Sequence, residues 1–162
     1  MDLKKTLLQF LARRLRRVMR GAGKSDPLLV KVSPHDADVN DAVARARATL
    51  PIFWASFAAW RPWETGHSLK IRVANDANDG EYIWVADVKT LGDGRYSGRF
   101  ANTPMYLPGR QLGDAIEFAE ADISDWMFMR NGRIVGGETI RLLLKSLPKA
   151  DADALRARLE TP

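Results

Sequence analysis

Few residues in this chain could do chemistry, and their types limit what it could be. Across 162 residues there are two histidines, His35 and His67, and no cysteine. That excludes a thiolate nucleophile, thiolate metal sites and a disulfide scaffold together. Imidazole titrates unaided near neutrality, so either histidine could serve as an acid or base, but no nucleophile motif accompanies them. The segment DISDWM places Asp122 and Asp125 three residues apart, followed by Trp126. This reads as a carboxylate pair beside an aromatic platform, or as a turn capped by Asp122 or Ser124 with Trp126 filling one end of a barrel. NDANDGE at 75–81 imitates the opening of a calcium loop. With Asp76 as first ligand, however, Glu81 falls where the turn glycine belongs, so a hairpin turn is the better reading. Gly136-Gly137 calls for positive φ or a close approach rather than a phosphate cradle, because no lysine follows. No nucleophile elbow, phosphate-binding loop, zinc helix motif or dinucleotide fingerprint is present, and no cofactor, metal or small-molecule ligand is implied.

Charge is distributed unevenly. Residues 1–24 hold eight basic side chains against Asp2, a net +7, while the remainder holds 17 basic and 19 acidic groups, a net −2. Good helix formers run from Leu3 to Arg20, and Gly21 and Gly23 end the run. At helical spacing Leu3, Leu7, Leu8, Phe10, Leu11, Leu15, Val18 and Met19 share a broad face. Lys5, Arg13, Arg16, Arg17 and Arg20 lie opposite, and Lys4 and Arg14 intrude on the apolar side. Charges interrupt what would be a secretory h-region, and nothing apolar follows the arginine pairs as a twin-arginine signal needs. Three readings stay open for this arm: an anionic membrane surface first, its own domain or a partner second, nucleic acid last.

The elements that must position these residues follow from periodicity. Residues 25–35 read as a linker, with LLVKV at 28–32 a short extended segment. Val39, Val43, Ala46, Leu50, Phe53, Phe57 and Trp60 mark a helix. Pro51 either kinks it or starts a second helix capped by Thr49. RPW at 61–63 ends it, leaving Trp60 and Trp63 flanking Arg61, a combination typical of anchors for a protein partner. From Leu69 the period is two: SLKIRVA, EYIWVADVKTL and RYSGRFANT read as a meander. DAIEFAE, DWMFM and RIVGG follow, the last two joined by Asn131-Gly132. Glu138–Leu147 is expected to be a strand passing into a helix, and residues 148–162 a short C-terminal helix. The expected class is α+β: a small, partly open antiparallel barrel or curled sheet with one packed amphipathic helix.

Several ordered blocks carry a family resemblance. They are N-x-A-x-x-x-A-R-x-T-L-P-x-F-W (Asn40 to Trp54), IWV (83–85), SGRFANTP (97–104), LGD (112–114), DISDWM (122–127) and GGETI (136–140). Together they resemble the YegJ-like family of uncharacterised bacterial domains over roughly 36–144. The resemblance implies no activity and no catalytic residues, and related small domains look like immunity or accessory proteins. The resulting expectation is a domain at 36–147 acting as a non-enzymatic protein-binding module. It would be cytoplasmic and held near the inner membrane surface or a partner by Leu7, Phe10, Leu11 and the arginines at 13, 14, 16, 17 and 20. Its binding candidates are Trp60, Arg61, Trp63, Asp122, Asp125 and Trp126. The competing expectations are an enzyme with a carboxylate/His site at one end of the barrel and, behind it, a nucleic-acid-associated protein acting through the basic arm.

Overall fold

The computed structural model describes residues 37–74 and 80–160. The basic arm, the linker with its extended segment, His35 and the turn at 75–79 lie outside the described residues. The element order is α1 (Ala37–Ala59), β1 (Glu64–Val73), β2 (Glu81–Gly92), β3 (Arg95–Phe100), β4 (Ala115–Ala119), a 3-10 turn (Glu120–Asp122), β5 (Ile123–Arg130), β6 (Arg133–Gly136), α2 (Glu138–Leu142), a second 3-10 turn (Leu143–Lys145) and α3 (Lys149–Arg156).

The strands form one antiparallel sheet in the order β4-β3-β2-β1-β5-β6. Two-residue turns with both residues at positive φ join the hairpins, Asp93-Gly94 between β2 and β3 and Asn131-Gly132 between β5 and β6. Register shifts in β1·β5 and β2·β3 add local bends. The sheet is open: β4 and β6 are opposite edges, so the fold is α+β with a curled sheet and does not close into a barrel.

Pairing sorts the side chains onto two faces. Leu69 opposes Val85 and Trp126, and Ile71 opposes Ile83 and Ile123; these look toward α1, which contributes Ala46, Leu50 and Phe53. Behind them Lys70 opposes Trp84 and Asp125. Trp84, Met127 and Ile134 pack there against Ile140, Leu155 and Leu159 from the C-terminal segment. The two central strands therefore lie between α1 on one side and α2 and α3 on the other.

α1 runs unbroken through Pro51. The proline sits on the exposed side, where water can serve the carbonyl it leaves without a donor. Thr49 caps no second helix: its hydroxyl donates back to the carbonyls of Arg45 (2.9 Å) and Ala46 (3.2 Å). The Trp126 indole N–H also reaches the Ala46 carbonyl at 2.9 Å, pinning α1 to β5 one turn before the proline.

The segment after β6 departs from expectation, being helical from Glu138 onward rather than a final strand. Gly136 (φ 81°) and Gly137 (φ 71°) turn the chain out of the sheet, and the Asp125 carboxylate then accepts the N–H groups of Glu138 and Thr139. The edge left by β6 is taken by Leu159 in a parallel bridge, with 2.7 Å backbone bonds on either side.

Gly98 sits where β3 crosses closest to β2: a Cβ there would lie 2.3 Å from Val85 Cγ1 and 2.8 Å from the Ala86 carbonyl. Gly98→Ala should therefore lower unfolding free energy by about 2–3 kcal/mol in urea titration. Gly109→Ala has open space and only a positive φ to oppose it, and should cost about 1 kcal/mol. Equal costs at the two positions would refute the close approach.

Candidate functional site

α1 terminates at a turn that displays aromatic side chains. Trp60 follows the last helical residue at φ 48°, in the left-handed region that normally takes glycine at a helix end. Holding a residue with a Cβ there costs on the order of 1–2 kcal/mol. Its side chain recovers little of that by burial, because Trp60 is 89% exposed. The Arg61 carbonyl then accepts the Glu64 N–H at 3.0 Å, closing a turn with Pro62 in its second position. The Trp63 carbonyl accepts the Asn131 N–H at 3.0 Å, tying the turn to the β5–β6 hairpin. Trp63 is 53% exposed, and Arg61 is exposed between the two tryptophans.

The turn is anchored from below by Glu64, a buried carboxylate. It accepts the Ser56 hydroxyl (2.6 Å), Arg130 Nε (2.8 Å) and Arg61 Nη1 (3.2 Å). Burial pushes this carboxyl up, but the Ser56, Arg130 and Arg61 donors outweigh it and hold it below the usual glutamate range. Arg130 also pairs with Glu160 at 3.0 Å and lies over the Phe128 ring. The guanidinium of Arg61 is thus paired with a carboxylate while its side chain stays 46% exposed.

His67 Nε2 lies 2.8 Å from Ser56 Oγ, and its ring stacks on Phe128. With the Ser56 proton committed to Glu64, the ring nitrogen is the donor in this contact. A nucleophile–base pair needs the reverse, a hydroxyl proton aimed at a bare nitrogen. Ser56 is moreover buried.

The other sequence candidates are dispersed. Asp122 accepts the Ala119 N–H at 2.9 Å and closes the 3-10 turn. Asp125 is fully buried and accepts four donors: the backbone N–H groups of Trp126 (2.8 Å), Glu138 (3.2 Å) and Thr139 (2.7 Å), and the Thr139 hydroxyl (2.6 Å). Lys70, equally enclosed, donates to that hydroxyl at 3.1 Å and lies over the Trp84 ring. His67 packs on the α1 side of the sheet and Asp125 on the other, so no cleft collects them. Trp126 is core, its ring against Phe53 and Phe128, and is not a surface platform. A separate cleft of about 230 Å³ between Val73, Phe100, Leu107 and Ile116 is lined by apolar side chains and Arg110, and contains none of these groups. Among the described residues, no group of three His, Cys, Asp or Glu is placed to hold a metal. Of the binding candidates, then, Trp60, Arg61 and Trp63 come together on the surface, while Asp122, Asp125 and Trp126 are engaged in structure. Ser56, Glu64 and Arg130, which hold the turn, were missed in the sequence. Only the Arg61–Glu64 spacing of three hinted at a link.

The Lys70–Asp125 pair has a pH signature. Burial drives the Lys70 ammonium down to about 8 and the Asp125 carboxyl up. Between about 8 and the ordinary lysine value the unfolded chain binds the extra proton, so Lys70 makes stability rise with pH across that window. Asp125 acts in the opposite sense, losing stability as pH rises through its raised value. Unfolding free energies from urea titrations should therefore climb between pH 8 and pH 10 by about 2 kcal/mol more for the wild type than for Lys70→Met. Parallel curves would show that Lys70 is not enclosed as described.

Comparison with known proteins places the chain. Residues 36–158 match the model of DUF2314, uncharacterised proteins conserved in bacteria. The uncharacterised protein YegJ of Escherichia coli K12 is 40% identical over 79 residues, covering 49% of this chain and 51% of its own. A putative ankyrin repeat protein of Neisseria meningitidis serogroup B is 32% identical over 130 residues, 73% of this chain and 49% of its own. The chain thus spans about half the length of these curated relatives, and no solved structure matches it. Matched over most of its length, the chain belongs to the DUF2314 family of bacterial proteins.

Proposed function

We propose that the protein is a non-enzymatic binding module that recognises another protein through the Trp60–Arg61–Trp63 turn, in an accessory or immunity-like role. The observation that carries this reading is Trp60. A large aromatic is held in a backbone conformation that favours glycine while 89% of it faces solvent. Stability alone would favour glycine there; a strained, exposed residue is the kind found at ligand contacts. Tryptophan and arginine are the residue types that dominate binding energy at interfaces, and a pre-ordered turn reduces the entropy lost on association. The partner that fits is a protein surface with a pocket for an indole and a carboxylate facing Arg61. Support of a different kind comes from the Neisseria relative, since ankyrin repeats form extended binding surfaces. The separate structural engagements of His67, Asp122 and Asp125 support this reading over the enzyme alternative.

The test combines stability with capture. A photoreactive phenylalanine analogue at position 60, in the native cells, should yield a discrete cross-linked protein that the same analogue at exposed Thr90 does not. Trp60→Gly should keep or slightly raise the urea midpoint, and with purified partner should weaken binding about tenfold or more. Identical cross-links from positions 60 and 90, or unchanged affinity in Trp60→Gly, would defeat the proposal.

A further inference from the structure

An open sheet has two edges, and an unpaired edge is a template for a strand of another chain. The β6 edge is occupied by the chain itself. Ile134 donates its N–H to the Arg158 carbonyl and accepts the Glu160 N–H, both at 2.7 Å, and Arg141 donates to the Gly136 carbonyl at 3.4 Å. Beyond β4 no strand follows among the described residues. Its pairing with β3 fixes which backbone groups point outward. The Phe100 N–H donates to the Asp114 carbonyl and the Glu120 N–H to the Gly94 carbonyl, so residues 114, 116, 118 and 120 bond inward. Ala115, Glu117 and Ala119 therefore turn their N–H and carbonyl groups to the edge.

We infer that Arg110 and Asp122 are edge guards, which stop β4 from pairing with the β4 of a second copy of this chain. Arg110 Nη2 donates to the Ala115 carbonyl at 2.6 Å, and the Asp122 carboxylate accepts the Ala119 N–H at 2.9 Å. Glu117, midway between them, has neither backbone group capped by a side chain. Two copies of β4 laid antiparallel about a two-fold axis would be centred on that residue, with Glu117 opposite Glu117 and Ala115 opposite Ala119. The Ala119 N–H of one copy would then donate to the Ala115 carbonyl of the other. These are the donor and the acceptor that Asp122 and Arg110 occupy, so both members of that bond are withdrawn and only the central pair remains. Arg110 is set in place from outside the strand. Its guanidinium lies 4.9 Å from the centre of the Phe100 ring, and its Nε is 3.6 Å from the Asp114 carboxylate. The edge needs such protection, because AIEFA is a short apolar strand with one charge, and that charge is paired with Arg95 at 2.9 Å.

The absence of cysteine allows a direct test in the full-length chain, since Glu117→Cys supplies a single thiol at the centre of the edge. Under mild oxidation, adding Arg110→Ala and Asp122→Ala to Glu117→Cys should speed formation of the disulfide-linked dimer about tenfold or more. Asp122→Asn with Arg110 intact still offers an oxygen to the Ala119 N–H, and should leave the rate within about twofold of Glu117→Cys alone. A thiol at exposed Thr90, two strands away from β4, should gain nothing from the same two alanine substitutions. Should the doubly unguarded chain lose its native circular dichroism, Arg110→Ala alone carries the test, with an acceleration of about threefold or more expected. An unchanged rate at position 117 in a folded unguarded chain would overturn the inference. Equal acceleration at position 90 would do the same, by showing general loosening in place of edge pairing.

Discussion

Strand β5 has water on neither side along Ile123–Phe128, and most of the architecture follows from that constraint. Every polar group it carries must find a partner within the protein. Asp125 finds backbone N–H groups at the start of α2, which forces the chain after Gly137 into a helical turn at that spot. Ser124 donates to the Lys70 carbonyl across the sheet. Trp126, on the opposite face, spends its indole N–H on α1, and this long-range bond holds the helix in place around its internal proline. At the end of the strand Arg130 leaves the core and becomes the ligand of Glu64. The exposed turn is therefore rigid because it is fastened to the most enclosed strand of the sheet.

Two of the buried acids, Glu64 and Asp125, show how differently one chain can treat a carboxylate. Glu64 is given two guanidinium groups and a hydroxyl, and is stabilised as the anion. Asp125 receives neutral donors, with Lys70 one hydroxyl away, and there desolvation prevails. The first arrangement holds a surface turn; the second joins β1, β5 and α2 behind the sheet. Buried ion networks of this kind contribute more to a unique geometry than to net stability, because desolvation offsets much of the attraction. That is consistent with their positions here, at the two places where chain direction changes between sheet and helix.

The surface follows a similar division. In α3, charged side chains occupy exposed positions, as at Lys149, Asp153 and Arg156. Apolar side chains face solvent along the outer side of α1 and the turn after it, where alanine, isoleucine and tryptophan are exposed, and also at Leu91, Met105, Tyr106 and Leu112. Apolar surface grouped as it is along α1 and its turn marks interaction, whether within the chain or with another molecule.

Local physics was legible in the residues alone. Asp93-Gly94 and Asn131-Gly132 specify tight hairpins because both turn positions need positive φ, which these residue types tolerate. Tyr96, Gly98 and Phe100 alternate with Arg95, Ser97 and Arg99, and the buried and exposed sides of β3 follow that alternation. The four-and-three spacing from Val39 to Phe53 gave α1 its inner face, and the RPW break put Trp60 and Trp63 at its end. β5 shows no alternation, because a strand covered on both sides has no polar face, and it is marked instead by the DWMFM run ahead of the Asn131-Gly132 turn. Alternation could not reveal that Glu138 begins a helix, since the deciding acceptor, Asp125, lies thirteen residues earlier in the chain. The same holds for the Ser56–Glu64–Arg130 anchor and for the separation of His67 from Asp125. Sequence spacing within one element sets which side chains share a face. Only the folding of distant segments against one another decides which of those faces meet, and hence which polar groups are partnered, buried or left to bind.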